Sequence, residues 1–316
     1  MAFRIPFAQA TWEEYLSGQK AKLPSLPSVE DVSNKVIRIL GGNPGSMQLQ
    51  GTNTYLIGTG SSRILIDTGQ GKPIWIRRLI KVLEGRNIDI AYVLLTHWHG
   101  DHTGGVPSLI AYDHSLSTRV YKNRPDKGSG QKNILDGQIF RVEGATVRAV
   151  FTPGHAVDHM CFMLEEENAL FTGDNVLGHG YSVVEDLGAY MDSLTRMAKL
   201  RCTLGYPAHG EKIIDLPSKM KEYIQHKEFR IRQVFLTLER SQMQDSSGER
   251  QGRGGRGGMT IREIVESMYG SVPEDVEKAL VPFLSQALWK LAEDRKVGFE
   301  AGEAMKRRWF VSPKKG

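Results

Sequence analysis

The segment that most constrains this chain is Thr-His-Trp-His-Gly-Asp-His, which follows the apolar strand predicted at Ile90–Thr96. Only nine histidines occur in 316 residues, and three of them fall among six consecutive positions beside an aspartate. Alternation along an extended segment would place His97, His99 and Asp101 on one side. The following turn would then bring His102 round to join them. Imidazole and carboxylate groups suit zinc and neighbouring divalent ions, so the pattern predicts a metal site after a buried strand.

Further ligands are needed, because these four residues cannot complete two metal sites. Three later positions place a potential ligand among small turn residues: His155 in Thr-Pro-Gly-His, Asp174 in Thr-Gly-Asp, and His209 in Pro-Ala-His-Gly. The first two directly follow predicted strands. Since loops at one rim of a rigid scaffold are where sites are commonly assembled, we expect these three side chains to join the first four.

Short apolar runs of strand length fall in two groups along the chain, with segments of helical spacing among them. The first group comprises Val36–Leu40, Asn53–Gly58, Arg63–Asp67 and Ile90–Thr96. The second comprises Thr118–Lys122, Ile139–Glu143, Thr146–Thr152, Met160–Leu164 and Ala169–Thr172. Helices are predicted at Thr11–Ser17, Pro73–Gly85, Asp186–Leu200 and Pro217–Gln242. Two runs of strands, each with helices, predict an α/β fold in which two packed sheets are covered outside by helices, an αββα sandwich.

A change in composition separates the last part of the chain. Ser246–Gly258 is rich in glycine and charge and has no apolar residue to bury, which predicts a flexible linker. Thr260 is a suitable N-cap for the next helix. The predicted elements there are helices Ile261–Tyr269 and Pro273–Ala292 and strands Val297–Phe299 and Trp309–Val311. The predicted organisation is a main domain at 1–245, a linker at 246–258, and a small winged-helix-like module at 259–316.

The bulk composition narrows the class of protein. The formal net charge of +5 is too weak by itself to indicate nucleic-acid binding. Cys161 and Cys202 both stand in apolar surroundings, so we expect buried free thiols and a reducing compartment. No apolar run has the length of a signal peptide or of a membrane span, which requires roughly 20 residues. We therefore expect a cytoplasmic protein with no membrane partner.

In combination, these motifs are similar to those of the metallo-β-lactamase superfamily. The resemblance covers residues from about 35 to 210, and Asp67 matches the first motif of that family. It implies two divalent cations, which we expect to be Zn²⁺ with Mn²⁺ as the alternative. By the resemblance, the first cation is held by His97, His99 and His155, and the second by Asp101, His102 and His209. Asp174 would bridge the two, and Asp67 would support the cluster without binding metal.

The resemblance also implies hydrolysis, with Asp101 as the catalytic residue that accepts and returns a proton. True β-lactamases of this superfamily commonly place a cysteine at the second metal, whereas neither cysteine here falls at a motif position. The other histidines have open roles. His159 either lines the pocket or is structural, and His179 either reaches substrate or packs its loop. We expect His114 and His226 at the surface.

Two further segments bear on the substrate. The opening Pro-Phe-Ala-Gln-Ala-Thr-Trp-Glu-Glu-Tyr and the run Ile-Leu-Gly-Gly-Asn-Pro-Gly-Ser-Met-Gln-Leu-Gln-Gly-Thr-Asn-Thr-Tyr resemble fungal atrochrysone carboxyl ACP thioesterases over nearly the whole chain. This implies release of an aromatic polyketide, as a carboxylic acid of the atrochrysone type, from the acyl carrier protein domain of a non-reducing polyketide synthase. Physically, the glycine-rich run is either a mobile hairpin whose Met47 and Leu49 cover an apolar substrate or an ordinary turn.

Two alternatives stay open. The β-lactamase-like endoribonucleases share the core motifs and a similar C-terminal module, so cleavage of single-stranded RNA is the second hypothesis. From Met259 onward, however, 10 Lys/Arg face 9 Asp/Glu, a net charge of +1. Since nucleic-acid affinity depends on several neutralised phosphates, we favour the thioesterase and do not expect nucleic acid as a partner. The third hypothesis is a non-catalytic scaffold in which the metal ions only stabilise the fold.

Overall fold

The computed structural model describes residues 23–45, 47–246 and 258–313. The helix predicted at Thr11–Ser17 and nearly all of the predicted linker lie outside the described residues. The chain forms two compact units, one ending at Tyr223 and the other beginning at Ile224. The domain limits 1–245, 246–258 and 259–316 stay a prediction.

The first sheet has seven strands whose spatial order follows their order in the chain. They are β1 Val29–Asp31, β2 Val36–Leu40, β3 Asn53–Ile57, β4 Ser62–Ile66, β5 Asp89–Leu95, β6 Val120–Lys122 and β7 Lys132–Asn133. The pairs from β1 to β4 are antiparallel, and those from β4 to β7 are parallel. Strands β2 and β3 are buried along their whole length. Burial on both faces explains why the central strands read as nearly continuous apolar runs.

The second sheet has five strands in the order β12-β11-β10-β9-β8. They are β8 Ile139–Val142, β9 Ala145–Phe151, β10 Met160–Leu164, β11 Ala169–Gly173 and β12 Leu204–Pro207. All pairs are antiparallel except β11 with β12. One core joins the two sheets, with Tyr55 and Ile66 from the first packed among Phe162 and Phe171 from the second. The two-sheet prediction is confirmed, but the strand predicted at Thr118–Lys122 in the second run belongs to the first sheet, where it pairs with β5 as β6.

Helices cover the outer faces of both sheets. Those of the sandwich are α1 Pro73–Arg86, α2 Gly100–Thr103, α3 Val106–Tyr112, α4 Leu187–Lys199 and α5 Leu216–Ser246, the last continuing past Tyr223. Helix α1 buries Trp75 and Leu79 among outward-facing residues of the first sheet. Helix α4 is capped by Asp186, whose carboxylate accepts a 2.9 Å hydrogen bond from the Ala189 N–H. The αββα sandwich is therefore the observed fold.

The C-terminal module is compact in itself. Its elements are α6 Ile261–Tyr269, α7 Glu274–Glu293, β13 Val297–Phe299 and β14 Trp309–Val311, and the two strands pair antiparallel. Thr260 caps α6 as predicted, and the Glu263 carboxylate accepts a hydrogen bond from the Thr260 N–H, completing a capping box. Among the helices that the structure describes, none is both long and apolar enough to cross a membrane.

Candidate metal centre

The histidine cluster lies where β5 leaves the first sheet. His97 continues the strand direction, but the prediction of an extended segment through Asp101 is wrong. A short helix begins at Gly100, so Asp101 comes from its first turn. The turn lies tightly against the loop after β4, because a Cβ on Gly105 would meet the Thr68 carbonyl oxygen at 1.9 Å. Only glycine permits this approach of residue 105 to the loop after β4.

The other predicted ligands lie in loops that follow strands of the second sheet. His155 follows β9, Asp174 follows β11 and His209 follows β12. The His155 ring is oriented by its Nδ1, which donates to the Val183 carbonyl oxygen at 2.7 Å. This contact leaves Nε2 of His155 directed at the cluster. All seven predicted metal-binding side chains are therefore brought together at one rim of the sandwich.

The first group of ligand atoms belongs to His97, His99, His155 and Asp174. Nε2 of His97 lies 2.9 Å from Nδ1 of His99, and Nε2 of His155 lies 3.2 Å and 3.1 Å from those two nitrogens. A tetrahedral zinc ion with ordinary Zn–N distances would separate its ligand atoms by about 3.3 Å. The three imidazole nitrogens are thus spaced as one cation requires.

The second group belongs to Asp101, His102 and His209. Oδ2 of Asp101 lies 3.3 Å from Nε2 of His209 and 3.4 Å from Nε2 of His102. Asp174 faces both groups: Oδ1 lies 3.2 Å from Nε2 of His209, while Oδ2 lies 3.5 Å from Nε2 of His155. This placement is the one that a bridging carboxylate needs.

Two buried atoms test whether cations fit these groups. Among the described residues, Nε2 of His102 and Oδ1 of Asp174 have no hydrogen-bond partner although both are buried. An unsatisfied buried polar atom costs about 1–3 kcal/mol, and natural proteins rarely leave one without a functional reason. A cation between the atoms would satisfy both. The donor set of histidine nitrogens and carboxylate oxygens therefore fits divalent metal ions.

Asp67 occupies the supporting position expected for it. Its Oδ2 lies 2.8 Å from Nδ1 of His102, and its Oδ1 accepts a 2.8 Å hydrogen bond from the Thr96 N–H. The carboxylate therefore keeps the proton of His102 on Nδ1 and directs Nε2 at the second group. Asp67 has a left-handed backbone with φ of 57° at the end of β4, and it is almost fully buried.

The four histidines outside the two ligand groups differ in how they are buried and bonded. His159 is structural: it is fully buried, its Nε2 accepts a 3.1 Å hydrogen bond from the Asp174 N–H, and its Nδ1 lies 3.0 Å from Oγ1 of Thr152. His114 is exposed, as expected, whereas His226 is half-buried, so the surface prediction for it is wrong. His179 is half-buried, and its predicted contact with substrate stays a prediction.

Electrostatics differ between the two groups in the metal-free protein. Burial lowers the pKa of His97 and His99, so their nitrogens are neutral and ready to bind a cation. Burial also opposes charge on His209, but the nearby Asp174 carboxylate and a hydrogen bond with Asp101 raise its pKa to about 9. The pKa of His102 is raised for the same kind of reason, against its burial, by Asp174 and Asp67. A cation entering the second group must therefore displace protons.

Apolar side chains stand exposed beside the ligand histidines. Trp98 is 50% exposed, and its ring centroid lies 4.5 Å from that of His99. Val157, two residues beyond His155, is 54% exposed, and Val183, whose carbonyl orients His155, is 44% exposed. We call Trp98, Val157 and Val183 the apolar rim. Exposed apolar groups next to a polar site commonly indicate a binding surface.

The glycine-rich run forms a small hairpin, with an antiparallel bridge between Gly45 and Leu49. Met47 at its tip is 58% exposed. The role of Met47 and Leu49 in covering a substrate stays a prediction. Cys161 and Cys202 are free, buried and absent from both ligand groups, which confirms the buried thiols.

Comparisons with known proteins agree with this geometry. Residues 47–209 match the family model described as "Metallo-beta-lactamase superfamily". The chain is 70% identical over 311 residues to lactamase-like protein aptB of Emericella nidulans, covering 98% of each chain. It is also 70% identical over 313 residues to lactamase-like protein adaB of Aspergillus niger, covering 98% of this chain and 96% of that protein.

A solved structure extends the comparison to the fold. The β-lactamase domain protein from Burkholderia ambifaria superposes with a TM-score of 0.71 at 18% sequence identity, covering 91% of this chain and 95% of that one. At this identity the likeness shows the fold alone. Motifs, ligand groups and fold converge on one conclusion: the chain belongs to the metallo-β-lactamase superfamily and has its hydrolase fold.

Proposed function

We propose that this chain is a metal-dependent thioesterase that hydrolyses the acyl-carrier-protein thioester of an aromatic polyketide. The product is a carboxylic acid of the atrochrysone type, made in fungal secondary metabolism. The observation that carries the proposal is the apolar rim, which lies directly beside the candidate metal ligands His99 and His155. The fungal relatives, named lactamase-like proteins, support the family and the setting of this proposal.

The proposed metal assignment follows the two ligand groups. His97, His99 and His155 would hold the first cation and Asp101, His102 and His209 the second, while Asp174, which faces both groups, would contact both cations. Zn²⁺ suits this nitrogen and oxygen donor set, and Mn²⁺ is the competing ion. When bound, two such cations supply a water that is deprotonated near neutral pH and stabilise the negative oxygen formed during attack on a carbonyl.

Asp101 handles the proton in this proposal. Although burial favours the neutral acid, the nearby His102 and His209 rings hold the pKa of Asp101 well below its usual range, so the group is an ionised carboxylate, the form that a proton acceptor needs. Water adds to the thioester carbonyl, the C–S bond breaks, and sulfur leaves with the bonding electrons. The proton taken from water returns to the departing sulfur. Since a thiolate leaves readily, no stronger acid is required.

The rim suits an aromatic acyl group. Half of the Trp98 side chain is free to contact a flat substrate, and the two valines add aliphatic surface. Apolar contact contributes roughly 25 cal/mol for each Å² removed from water. An acyl chain bearing aromatic rings would gain from such contact at the point where its thioester carbonyl meets the metal ligands.

The endoribonuclease alternative has weaker support. In the C-terminal module, Lys306 lies 2.8 Å from a Glu303 carboxylate oxygen and Arg308 lies 3.2 Å from one of Glu263. The Arg307 guanidinium lies 4.9 Å above the Phe299 ring. These basic side chains already have partners, which reduces the attraction they offer to phosphates. A carrier protein, by contrast, is usually acidic, and the net charge of +5 complements it.

A side-by-side assay tests the proposal. Purified protein is given an aromatic acyl-carrier-protein thioester and, separately, single-stranded RNA. We expect turnover of the thioester, loss of that turnover in H99A, and retention in H114A, which changes an exposed histidine outside both ligand groups. Cleavage of RNA without turnover of thioester would overturn the proposal.

The free buried thiols accord with a cytoplasmic location. We therefore also propose that the chain acts in the cytoplasm, with an acyl carrier protein as its partner.

A further inference from the structure

A buried hydrogen-bond chain connects the glycine-rich run to Asp101. Oγ1 of Thr52 lies 3.0 Å from Oδ2 of Asp101, although the two residues are 49 positions apart. Asn43 contacts Thr52 twice: its Oδ1 accepts from the Thr52 N–H at 3.0 Å, and its Nδ2 donates to Oγ1 at 3.0 Å. Thr52 is fully buried and Asn43 nearly so. No motif in the sequence indicates these hydrogen bonds.

Only one assignment of donors and acceptors is consistent with the hydrogen bonds among Asn43, Thr52 and Asp101. A backbone N–H can only donate, so the Asn43 atom facing it is the carbonyl oxygen, and the amide nitrogen faces Oγ1 of Thr52. Since Oγ1 accepts that hydrogen bond, its own hydrogen is directed at Asp101. Oδ2 of Asp101 therefore receives a charge-assisted hydrogen bond, which is stronger than one between neutral groups.

The backbone around Thr52 also belongs to the second ligand group. Thr52 forms an antiparallel bridge with His209, and the Asn53 N–H donates to the Ala208 carbonyl oxygen at 2.6 Å. The Gly41 N–H donates to the Thr52 carbonyl oxygen at 2.8 Å. A Cβ on Gly41 would lie 2.7 Å from Oδ1 of Asn43, so the glycine lets the loop close on the amide. Thr52 thus fixes Asp101 and adjoins His209.

We propose that Asn43 and Thr52 are positioning residues that hold Asp101 in place for the second metal ion and for proton transfer. The metal part stands on the contacts alone, whereas the proton part rests on the proposed thioesterase function. Residues that orient a ligand from behind usually change metal affinity or activity by about 10- to 100-fold when they are removed. We expect changes of that size from loss of the Thr52 hydroxyl.

The test uses T52V, T52S and N43L, with T54V as a matched control. Thr54 lies on the same segment as Thr52 and is equally buried. Its hydroxyl accepts a hydrogen bond from the Trp75 ring N–H and donates one to the Ile39 carbonyl oxygen, instead of contacting the candidate ligands. Each metal-free variant is titrated with Zn²⁺ against a chelator, and H209A identifies the binding step of the second group. In T52V the Kd of that step should rise about 10- to 100-fold. T52S should restore it, and N43L should weaken it like T52V.

Three results would contradict the positioning role of Thr52. Wild-type affinity in T52V, or equal weakening in T54V, would overturn the proposal, and so would failure of T52S to restore binding. If T52V does not fold, N43L carries the same comparison. In assays of the metal-loaded protein, T52V should lower kcat with little change in KM. Weakened metal binding in T52V together with no thioester turnover in the wild type would sink the proposed function and leave this inference standing.

Discussion

Oδ2 of Asp67 lies 2.8 Å from Nδ1 of His102, and this contact fixes which nitrogen of the histidine faces the second ligand group. Both side chains are almost completely buried, so no water competes for the hydrogen bond. Without the carboxylate, His102 could carry its proton on Nε2 and could no longer bind a cation there. The orientation of one ring nitrogen thus depends on a carboxylate that lies outside both candidate ligand groups.

The first prediction concerns D67N. The amide cannot accept the His102 proton as a carboxylate does, so the second metal should bind about 10- to 100-fold more weakly. Titration of the metal-free variant with Zn²⁺ measures this. D126N, a change of the same kind at an exposed loop position, should leave the affinity unchanged. An undiminished affinity in D67N would show that His102 does not need Asp67.

The second prediction concerns protons released when metal binds. The pKa of His209 is raised to about 9, against an ordinary value of 6.5, so the ring carries an extra proton at pH 7.5 that a cation must displace. At pH 9.5 most of that proton has already left. Calorimetry in buffers of different ionisation enthalpy should therefore find greater proton release at pH 7.5 than at pH 9.5. Equal release at both values would contradict the charged His209.

The third prediction concerns Trp98. Removal of its exposed ring in W98A should raise KM for an aromatic acyl thioester by roughly 2- to 10-fold, since an aromatic pair contributes about 0.5–1.5 kcal/mol. An acetyl thioester should show no such change. Y112A removes another exposed aromatic residue and serves as the control. An equal loss with both thioesters would mean that Trp98 supports the histidines and does not contact the acyl group.

The fourth prediction concerns the cysteines. Burial raises the pKa of Cys161 to about 12 and that of Cys202 to about 11, and the thiolate is the reactive form. Alkylating reagent at pH 8 should therefore spare both thiols in the folded protein and modify both in denaturant. The double variant C161A/C202A should melt at a lower temperature and keep its turnover. Loss of turnover in protein whose far-UV spectrum is unchanged would point to a cysteine in the chemistry.

The sequence places the candidate ligands His97 and Asp174 well because each follows a strand whose apolar pattern is local. His97 stands after β5 and Asp174 after β11, and burial of these strands is evident from neighbouring residues. The same local patterns place the helices α1 and α4 within a residue or two. The alternation rule fails at Gly100, where a short helix begins instead of a continued extended segment.

Other features depend on contacts between distant parts of the chain. Strand β12, Leu204–Pro207, is too short and too weakly apolar to be recognised, yet it delivers His209. The contact between Thr52 and Asp101 joins residues that are 49 positions apart, so no spacing in the sequence indicates it. The same holds for His159, whose structural role follows from its hydrogen bond with the Asp174 N–H. Such contacts follow from the tertiary fold alone.

Whether the chain is a metal-dependent thioesterase is tested by the release of free thiol from an aromatic acyl-carrier-protein thioester, measured against the amount of Zn²⁺ added per metal-free chain. We expect negligible release without metal and a rise to the full rate as both ligand groups fill, with no recovery in H99A. Full release by metal-free protein, or none at any metal content while RNA is cleaved, would rule out the proposed function.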